Sequence, residues 1–218
     1  MDYIEELKKL FDTVLTEEPM SLHTSFKTGG NADVFVRADR AENIALAVQM
    51  LKQEKIPYYI MGNGSNLLVR DGGVEGVIIQ IGAQMNRITV EGTRMEAQAG
   101  ALLSALSAAA CENSLAGLEF ASGIPGTVGG AVFMNAGAYD GEIQNVIVSA
   151  DVIDENGEIL KMSKEELELS YRHSAIADRN RIAVGAQFEL TKGNKDEIAA
   201  KIADFSARRR DKQPLNFP

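Results

Sequence analysis

Cysteine is nearly absent from this sequence, and tryptophan is absent altogether. The one cysteine, Cys111, cannot form an intramolecular disulfide, so the fold depends on a buried apolar core. Hydrophobic residues make up 45% of the 218 residues, which is enough at this length for such a core. Cys111 ends the apolar stretch at residues 101–111, where we expect a buried core thiol.

Long hydrophobic runs and an excess of basic residues are lacking as well. The longest apolar stretch, residues 101–111, is much shorter than the roughly 20 residues that span a bilayer. The start, Met1-Asp2, does not resemble the basic region of a signal peptide. We therefore expect a cytoplasmic protein without membrane insertion. The net charge of −9 disfavours nucleic acid as a partner, because an acidic surface repels phosphate.

Metal ligands are scarce too. The two histidines, His23 and His173, lie far from each other and from Cys111, so no ligand spacing is present and we expect no metal site. Both histidines are expected to have structural roles. The one basic run, Arg208-Arg209-Arg210, favours a helix C-terminus that complements the helix dipole, with a local anion site as the alternative.

Helical and strand-like periodicities are mixed along the chain without strict alternation. Helices are predicted at residues 2–15 and 101–111, after the capping pairs Asp39/Glu42 and Asn194/Glu197, and in a short segment after Ser163/Glu166. Strands are predicted at 33–38, 57–61, 67–69, 74–81, 87–90, 94–99, 143–154, 158–162 and 182–190, with an extended end near Pro214 and Pro218. Asn156-Gly157 predicts a hairpin turn. This mixture indicates an α+β fold in two subdomains that meet near residues 80–90.

A first glycine-rich loop follows the predicted strand 57–61. Its sequence is Gly62-Asn63-Gly64-Ser65-Asn66-Leu67. Leu67 stands where the dinucleotide fingerprint has its third glycine, and no helix is predicted to follow, so a Rossmann site is disfavoured. Two interpretations remain: an ordinary tight turn, or a nest of backbone N–H groups that binds anionic oxygens.

A second glycine-rich segment, residues 121–139, carries no charged side chain. Glycine loses the most conformational entropy on folding, so a dense cluster indicates a close approach to the backbone. A flexible linker would be more polar. We expect an ordered, buried loop suited to a flat or diphosphate-bearing cofactor, and a packed crossover is the alternative.

Four motifs in one order resemble the UDP-N-acetylenolpyruvoylglucosamine reductase family. They are Ser25-Phe26-Lys27-Thr28-Gly29-Gly30, then Gly62 to Val69, then Ser122 to Gly130 with Asn135-Ala136-Gly137-Ala138-Tyr139, and Ser170-Tyr171-Arg172-His173-Ser174. The resemblance implies an α+β, two-subdomain FAD-binding fold of the vanillyl-alcohol-oxidase (PCMH) type. The subdomains would be residues 1–82 and 83–192, and residues 193–218 would start a third, substrate-binding domain.

The same resemblance implies noncovalent FAD with its diphosphate on the two loops, and NADPH as co-substrate. The implied cofactor-binding residues are Gly62, Asn63, Gly64, Ser65, Asn66, Leu67, Ser122, Gly123, Ile124, Pro125, Gly126, Thr127, Val128, Gly129, Gly130, Asn135, Ala136 and Gly137. Neither loop contains the histidine or cysteine that covalent flavin attachment would use.

The family reduces UDP-N-acetylglucosamine enolpyruvate to UDP-N-acetylmuramate in peptidoglycan precursor synthesis, a step of cell-wall formation. Negative charge develops beside the substrate carboxylate, and a fixed arginine fork stabilises it better than a lysine does. Arg172 matches the family's arginine for this role, with Tyr171 beside it. Lys212 matches a family lysine near the anionic ligands.

The family's proton-donating serine and the glutamate that assists it match no position up to residue 218. The resemblance therefore implies a chain cut short within its substrate domain, one that binds FAD but reduces the substrate poorly. The short connection at residues 174–181 resembles the compact class of the family. The alternatives are another noncovalent-FAD oxidoreductase of the same superfamily and a non-catalytic nucleotide-binding module.

Overall fold

The computed structural model describes residues 2–139 and 141–212. The helices are α1 (Tyr3–Leu10), α2 (Ala41–Gln53), α3 (Leu103–Glu112), α4 (Val128–Phe133), α5 (Ala175–Asp178) and α6 (Lys195–Lys212). The strands are β1 (Thr13–Pro19), β2 (Asn31–Ala38), β3 (Tyr58–Met61), β4 (Val74–Ile81), β5 (Ile88–Glu91), β6 (Arg94–Gln98), β7 (Leu115–Ala116), β8 (Gly137–Ala138), β9 (Gly141–Glu142), β10 (Ile147–Ile153), β11 (Ile159–Ser163), β12 (Ile182–Glu189) and β13 (Thr191–Lys192). The predicted extended end at 213–218 lies outside the described residues.

The first sheet has the strand order β1-β2-β4-β3. Strands β2, β3 and β4 run parallel, and β1 pairs antiparallel with β2 at the edge. Helix α2 crosses over between β2 and β3 and buries the predicted stripe of Ile44, Ala47, Val48 and Leu51. This stripe packs on the sheet together with α1, which buries Leu7. The helix predicted at 2–15 is wrong beyond Leu10. Val14 lies in β1 and pairs with Val36 of β2.

The second sheet has the order β11-β10-β12-β6-β5 and is antiparallel throughout. The hairpin predicted at Asn156-Gly157 is confirmed between β10 and β11, and Gly157 has a φ of +78°. Helices α3 and α4 cover this sheet, and α6 adds Phe205 to the same core. Asn194 caps α6 as predicted, since its Oδ1 accepts the N–H of Asp196 at 2.9 Å.

Several local predictions are wrong. Residues 67–69 form no strand, and β10 begins only at Ile147, after a 3₁₀ turn. Asp39 does not cap α2, because the N-cap is Arg40 and the Asp39 carboxylate accepts the side-chain amide of Asn43. The reciprocal bonds between Ser163 and Glu166 do form, but they close a turn instead of a helix.

Two further expectations need correction. Cys111 is half-buried, with its Sγ 3.9 Å from the carbonyl oxygen of Lys195. The segment expected to be a loop at 121–139 contains the end of a 3₁₀ turn, Glu119–Gly123, and the whole of α4. Small residues allow these short helices to pack closely: a Cβ on Gly129 would lie 2.8 Å from the Cβ of Ala99.

The two sheets share a core. Ile153, Ile182 and Val184 of the second sheet belong to the same buried cluster as Val36 and Ile79 of the first. The β10–β11 hairpin also contacts α2, where Gln49 Nε2 donates to the carbonyl of Asn156 at 2.6 Å. Among the described helices, none is long and apolar enough to cross a membrane.

Candidate functional site

A large cleft lies where the two sheets meet. Its volume is about 1850 Å³, above the roughly 300–1,000 Å³ of ordinary small-ligand pockets, so it has room for an extended ligand. The loop after β3, the segment from Ile124 to Tyr139 and the turn at Tyr171-Arg172 all line it. The structure therefore brings together at one cleft three of the four motifs, which lie far apart in the sequence.

The loop after β3 presents its backbone to the cleft. Within the described residues, the N–H groups of residues 63–67 donate no hydrogen bond to the protein. The carbonyl of Gly64 is held from the other side by the N–H of Ser25 at 3.1 Å. Gly64 has a φ of +64°, and a Cβ there would collide with the carbonyl oxygen of His23. Successive unpaired N–H groups of this kind form a concavity suited to anionic oxygens.

The second glycine-rich segment faces this loop across the cleft. Asn63 Nδ2 donates to the carbonyl of Pro125 at 3.3 Å, and Asn66 Nδ2 contacts Met134 Sδ at 3.1 Å. The backbone N–H groups of Gly126, Thr127 and Gly130 also donate to no described group. Both loops therefore have backbone N–H groups at the cleft that donate to no described protein group.

Two glycines of this segment are not explained by packing. A Cβ on Gly126 would approach nothing closer than Ser65 Oγ at 3.8 Å, and one on Gly130 nothing closer than Thr127 Oγ1 at 3.8 Å. Both residues line the cleft. The missing side chains leave the backbone open to a ligand, which is what a diphosphate-bearing cofactor requires. The residues present therefore fit FAD.

Not every residue expected to bind the cofactor faces the cleft. Ser122, Gly123 and Val128 are not among its lining residues. Ser122 Oγ donates to the carbonyl of Glu119 at 2.8 Å, and Val128 is fully buried in the second core. Asn135 is among the lining residues, but its side chain is hydrogen-bonded to the protein.

Tyr171 and Arg172 form the tip of a tight turn at the cleft. The Ser170 and His173 backbones exchange two hydrogen bonds of 3.2 Å each, which leaves Tyr171 and Arg172 at the tip. Tyr171 is 88% exposed, Arg172 is exposed as well, and both line the cleft. Lys212 ends α6 as an exposed residue and does not line the cleft.

Sequence reasoning missed some of the charged residues at the cleft. Arg209 lines it and donates through Nη1 to the carbonyl of Gly123. The basic run 208–210 contains this residue, and a local anion site was the alternative interpretation of that run. Lys52 and Glu155 line the cleft from α2 and the β10–β11 hairpin, and no motif marked them.

The remaining titratable groups have plain structural surroundings. Burial raises the pKa of the Tyr58 hydroxyl at the cleft wall. His23 Nε2 lies 2.8 Å from Glu18 Oε1 while its ring stacks on Phe35, and His173 Nε2 lies 2.9 Å from Asp178 Oδ2. In residues 2–139 and 141–212, no cluster of His, Cys, Asp and Glu could hold a metal ion.

Comparison with known proteins first defines the class. Residues 32–163 match the family model described as FAD binding domain, and this span contains both loops. The chain is similar to the solved structure of p-cresol methylhydroxylase, with a TM-score of 0.66 at 18% identity, covering 88% of this chain and 43% of that one. The fold is therefore the two-subdomain α+β FAD-binding fold of the vanillyl-alcohol-oxidase type, as predicted, and the chain contains an FAD-binding domain.

More similar proteins then narrow the class to one family. The UDP-N-acetylenolpyruvoylglucosamine reductase of Clostridium novyi is 47% identical over 219 residues, covering 98% of this chain and 71% of that protein. The crystal structure of the reductase from Thermus caldophilus matches with a TM-score of 0.78 at 29% identity, covering 92% of this chain and 70% of that one. The chain belongs to the UDP-N-acetylenolpyruvoylglucosamine reductase family. The resemblance read from the four motifs is confirmed.

Proposed function

We propose that this protein is the FAD-dependent, NADPH-using reductase that converts UDP-N-acetylglucosamine enolpyruvate to UDP-N-acetylmuramate for peptidoglycan synthesis. The observation that carries the proposal is the pair of loops whose unpaired backbone N–H groups meet at one cleft, in a chain of this family. Neither loop offers a histidine or cysteine, so the cofactor is held noncovalently. Bound FAD supplies the chemistry of accepting a hydride from NADPH and delivering it to the double bond.

The loops bind the cofactor through their backbones. The N–H groups of residues 63–67 and those of Gly126, Thr127 and Gly130 are the donors for the diphosphate. Backbone N–H dipoles bind a diphosphate without a salt bridge. This fits the absence of charged side chains in residues 121–139. Ile124, Pro125, Ala136 and Gly137 complete the cofactor side of the cleft.

Arg172 is assigned to the carboxylate of the enolpyruvyl group. Arg172 lines the cleft, and its fixed positive charge would stabilise the negative charge that develops beside the substrate carboxylate during reduction. A planar fork binds a carboxylate through two parallel hydrogen bonds. Tyr171, which lies beside Arg172 at the tip of the turn, would pack or hydrogen-bond next to it. Lys212 remains a prediction for the anionic part of the sugar nucleotide.

The domain division also belongs to the proposal. Residues 1–82 and 83–192 would be the two FAD-binding subdomains, since the first sheet ends at Ile81 and the second begins at Ile88. Residues 193–218 would begin the substrate-binding domain. Helix α6 starts this part next to the cofactor side, with Phe205 stacked on Tyr139 at 4.6 Å and 9°.

Turnover with the sugar nucleotide tests the proposal. FAD-loaded protein of the length of the curated relatives is supplied with NADPH and UDP-N-acetylglucosamine enolpyruvate, and UDP-N-acetylmuramate is measured by mass spectrometry. We expect NADPH oxidation that depends on the sugar nucleotide, with one product formed per NADPH consumed. Flavin that is reduced by NADPH without any product would contradict the proposed substrate. FAD released intact on denaturation would support noncovalent binding.

A further inference from the structure

The turn that carries Arg172 is held in an unfavourable conformation. Arg172 has a φ of +53°, in the left-handed region that a residue with a Cβ enters only when its surroundings require it. The two 3.2 Å bonds between Ser170 and His173 close the turn but do not fix where it points. Its direction must come from contacts at its two ends.

Both ends of the turn are tied to the C-terminal end of α4 and the residues just after it. At one end, Asn135 Nδ2 donates to the carbonyl of Ser170 at 3.0 Å. At the other end, Ser174 Oγ donates to the carbonyl of Phe133 at 2.7 Å. Asn135 is 3% exposed and Ser174 is fully buried, so solvent does not compete for these bonds.

Asn135 is itself fixed by the segment that follows it. Its Nδ2 also donates to Glu142 Oε2 at 2.9 Å, and its Oδ1 accepts the backbone N–H of Gln144 at 2.9 Å. Gln144 Nε2 in turn donates to the second oxygen of Glu142. An amide is required here, because the side chain donates to two acceptors and accepts from one donor. Asparagine also tolerates the φ of +45° found at this position.

We propose that Asn135 is a positioning residue for substrate reduction, which holds the Tyr171-Arg172 turn over the cleft so that the guanidinium meets the substrate carboxylate. This inference rests on the proposed role of Arg172. The side chain of Asn135 has no donor left for a ligand, so it acts through Arg172 and not by touching the cofactor. Its loss should therefore affect the step with the sugar nucleotide more than the reduction of FAD by NADPH.

The test uses Asn135→Gly in FAD-loaded protein of a length that turns over the sugar nucleotide. Glycine keeps the positive φ, so the variant removes the amide without adding backbone strain. We expect kcat/KM for the sugar nucleotide to fall roughly 10- to 100-fold, as small misplacements of a catalytic group do. The Kd for FAD and the rate of flavin reduction by NADPH should change much less than this kcat/KM. Equal losses in all three quantities would overturn the proposal.

A double-mutant cycle separates this proposal from the one on which it rests. If Asn135 acts through Arg172, then Asn135→Gly adds little to the loss already caused by Arg172→Ala. Losses that multiply in the double variant would overturn the positioning role. If Arg172→Ala alone leaves turnover unchanged, the proposed role of Arg172 is wrong; if it abolishes turnover while Asn135→Gly does not, only the positioning role is wrong.

The hydrogen bond from Ser174 to Phe133 provides a second test if Asn135→Gly does not fold. Ser174→Ala removes the bond to Phe133 and leaves the network around Asn135 in place. Thermal melting and retained FAD establish that this variant is folded. We expect the same selective loss with the sugar nucleotide, and the same absence of further loss in the Arg172→Ala background. Wild-type kcat/KM in folded Ser174→Ala would overturn the proposal.

Discussion

Glycines in the two loops serve two different physical purposes. Gly64 and Gly129 are required by the fold, because a Cβ at either position would collide with the protein. Gly126 and Gly130 have space around them on the protein side and face the cleft. Glycine density in the sequence indicated that something approaches the backbone closely, but it could not distinguish a protein neighbour from a ligand.

This difference leads to a prediction about FAD binding. Gly126→Ala and Gly130→Ala should raise the Kd for FAD at least about tenfold, a loss near 1.4 kcal/mol, with no loss of stability in the FAD-free protein. Gly130 lies inside α4, where alanine is preferred over glycine by up to about 1 kcal/mol. Fluorescence titration with FAD and thermal melting measure the two quantities.

Gly129→Ala is the matched control for these variants. Its Cβ would lie 2.8 Å from the Cβ of Ala99, so it should lower the free energy of unfolding by about 1–3 kcal/mol without FAD. FAD affinity unchanged in both Gly126→Ala and Gly130→Ala would show that the cofactor does not approach this backbone.

At the scale of elements, periodicity predicted most of both sheets. The strands β2, β4 and β12 bury most of their side chains, and their apolar residues form short runs or alternate with polar ones, so local sequence is sufficient to identify them. Strand β1 could not be predicted in the same way, because the helical spacing of apolar residues in α1 continues to Val14. Val14 lies in a strand because it pairs with Val36, which local sequence does not indicate. Asn135 bonds to the carbonyl of Ser170, 35 residues further along the chain, and periodicity gives no sign of this contact.

The β10–β11 hairpin depends on a carboxylate in its turn. Asp154 Oδ1 accepts the backbone N–H groups of Glu158 at 2.9 Å and Asn156 at 2.8 Å. The Glu158 N–H, followed by that of Asn156, holds the pKa of the Asp154 carboxyl below its usual range. A carboxyl whose pKa is lowered in the folded state stabilises the fold above its unfolded-state pKa, and this contribution disappears as the pH falls through the folded-state pKa.

Asp154→Ala should therefore lower the Tm at pH 7 by about 2–4 °C. The difference from wild type should shrink below pH 3.8, the ordinary pKa of this side chain, because the wild-type carboxyl then becomes protonated as well. Melting curves at neutral and acidic pH measure both effects. Glu158→Gln removes a charge from the same turn and keeps the backbone N–H, so it should leave the Tm unchanged. A Tm difference for Asp154→Ala that is constant with pH would contradict this account.

At the scale of the whole molecule, the cleft exists only because two sheets share one core. Ile153, Ile182 and Val184 join the second sheet to the first, and the hairpin contacts α2 beside them. The two glycine-rich loops come from opposite sides of this junction. Motif order in the sequence identified the loops, but their meeting across the cleft follows from nonlocal packing that periodicity does not report.

Binding of FAD across the junction should stabilise the whole protein. At a free FAD concentration of about 100 times Kd, the stabilisation is about 2.7 kcal/mol, which corresponds to a rise in Tm of roughly 5–10 °C. Riboflavin lacks the diphosphate that the loop N–H groups bind, so the same concentration should raise the Tm much less. Thermal melting with each ligand measures the difference. Equal shifts with riboflavin and FAD would contradict a diphosphate site on the loops.

These 218 residues are expected to form a noncovalent site for FAD, in which NADPH reduces the bound flavin. The most direct measurement is the visible absorption spectrum of the purified chain after FAD is added and free FAD is removed by desalting, recorded before and after anaerobic NADPH. We expect flavin bands that remain after desalting and bleach with NADPH. Flavin that washes out entirely, or bound flavin that NADPH does not bleach, would contradict this expectation.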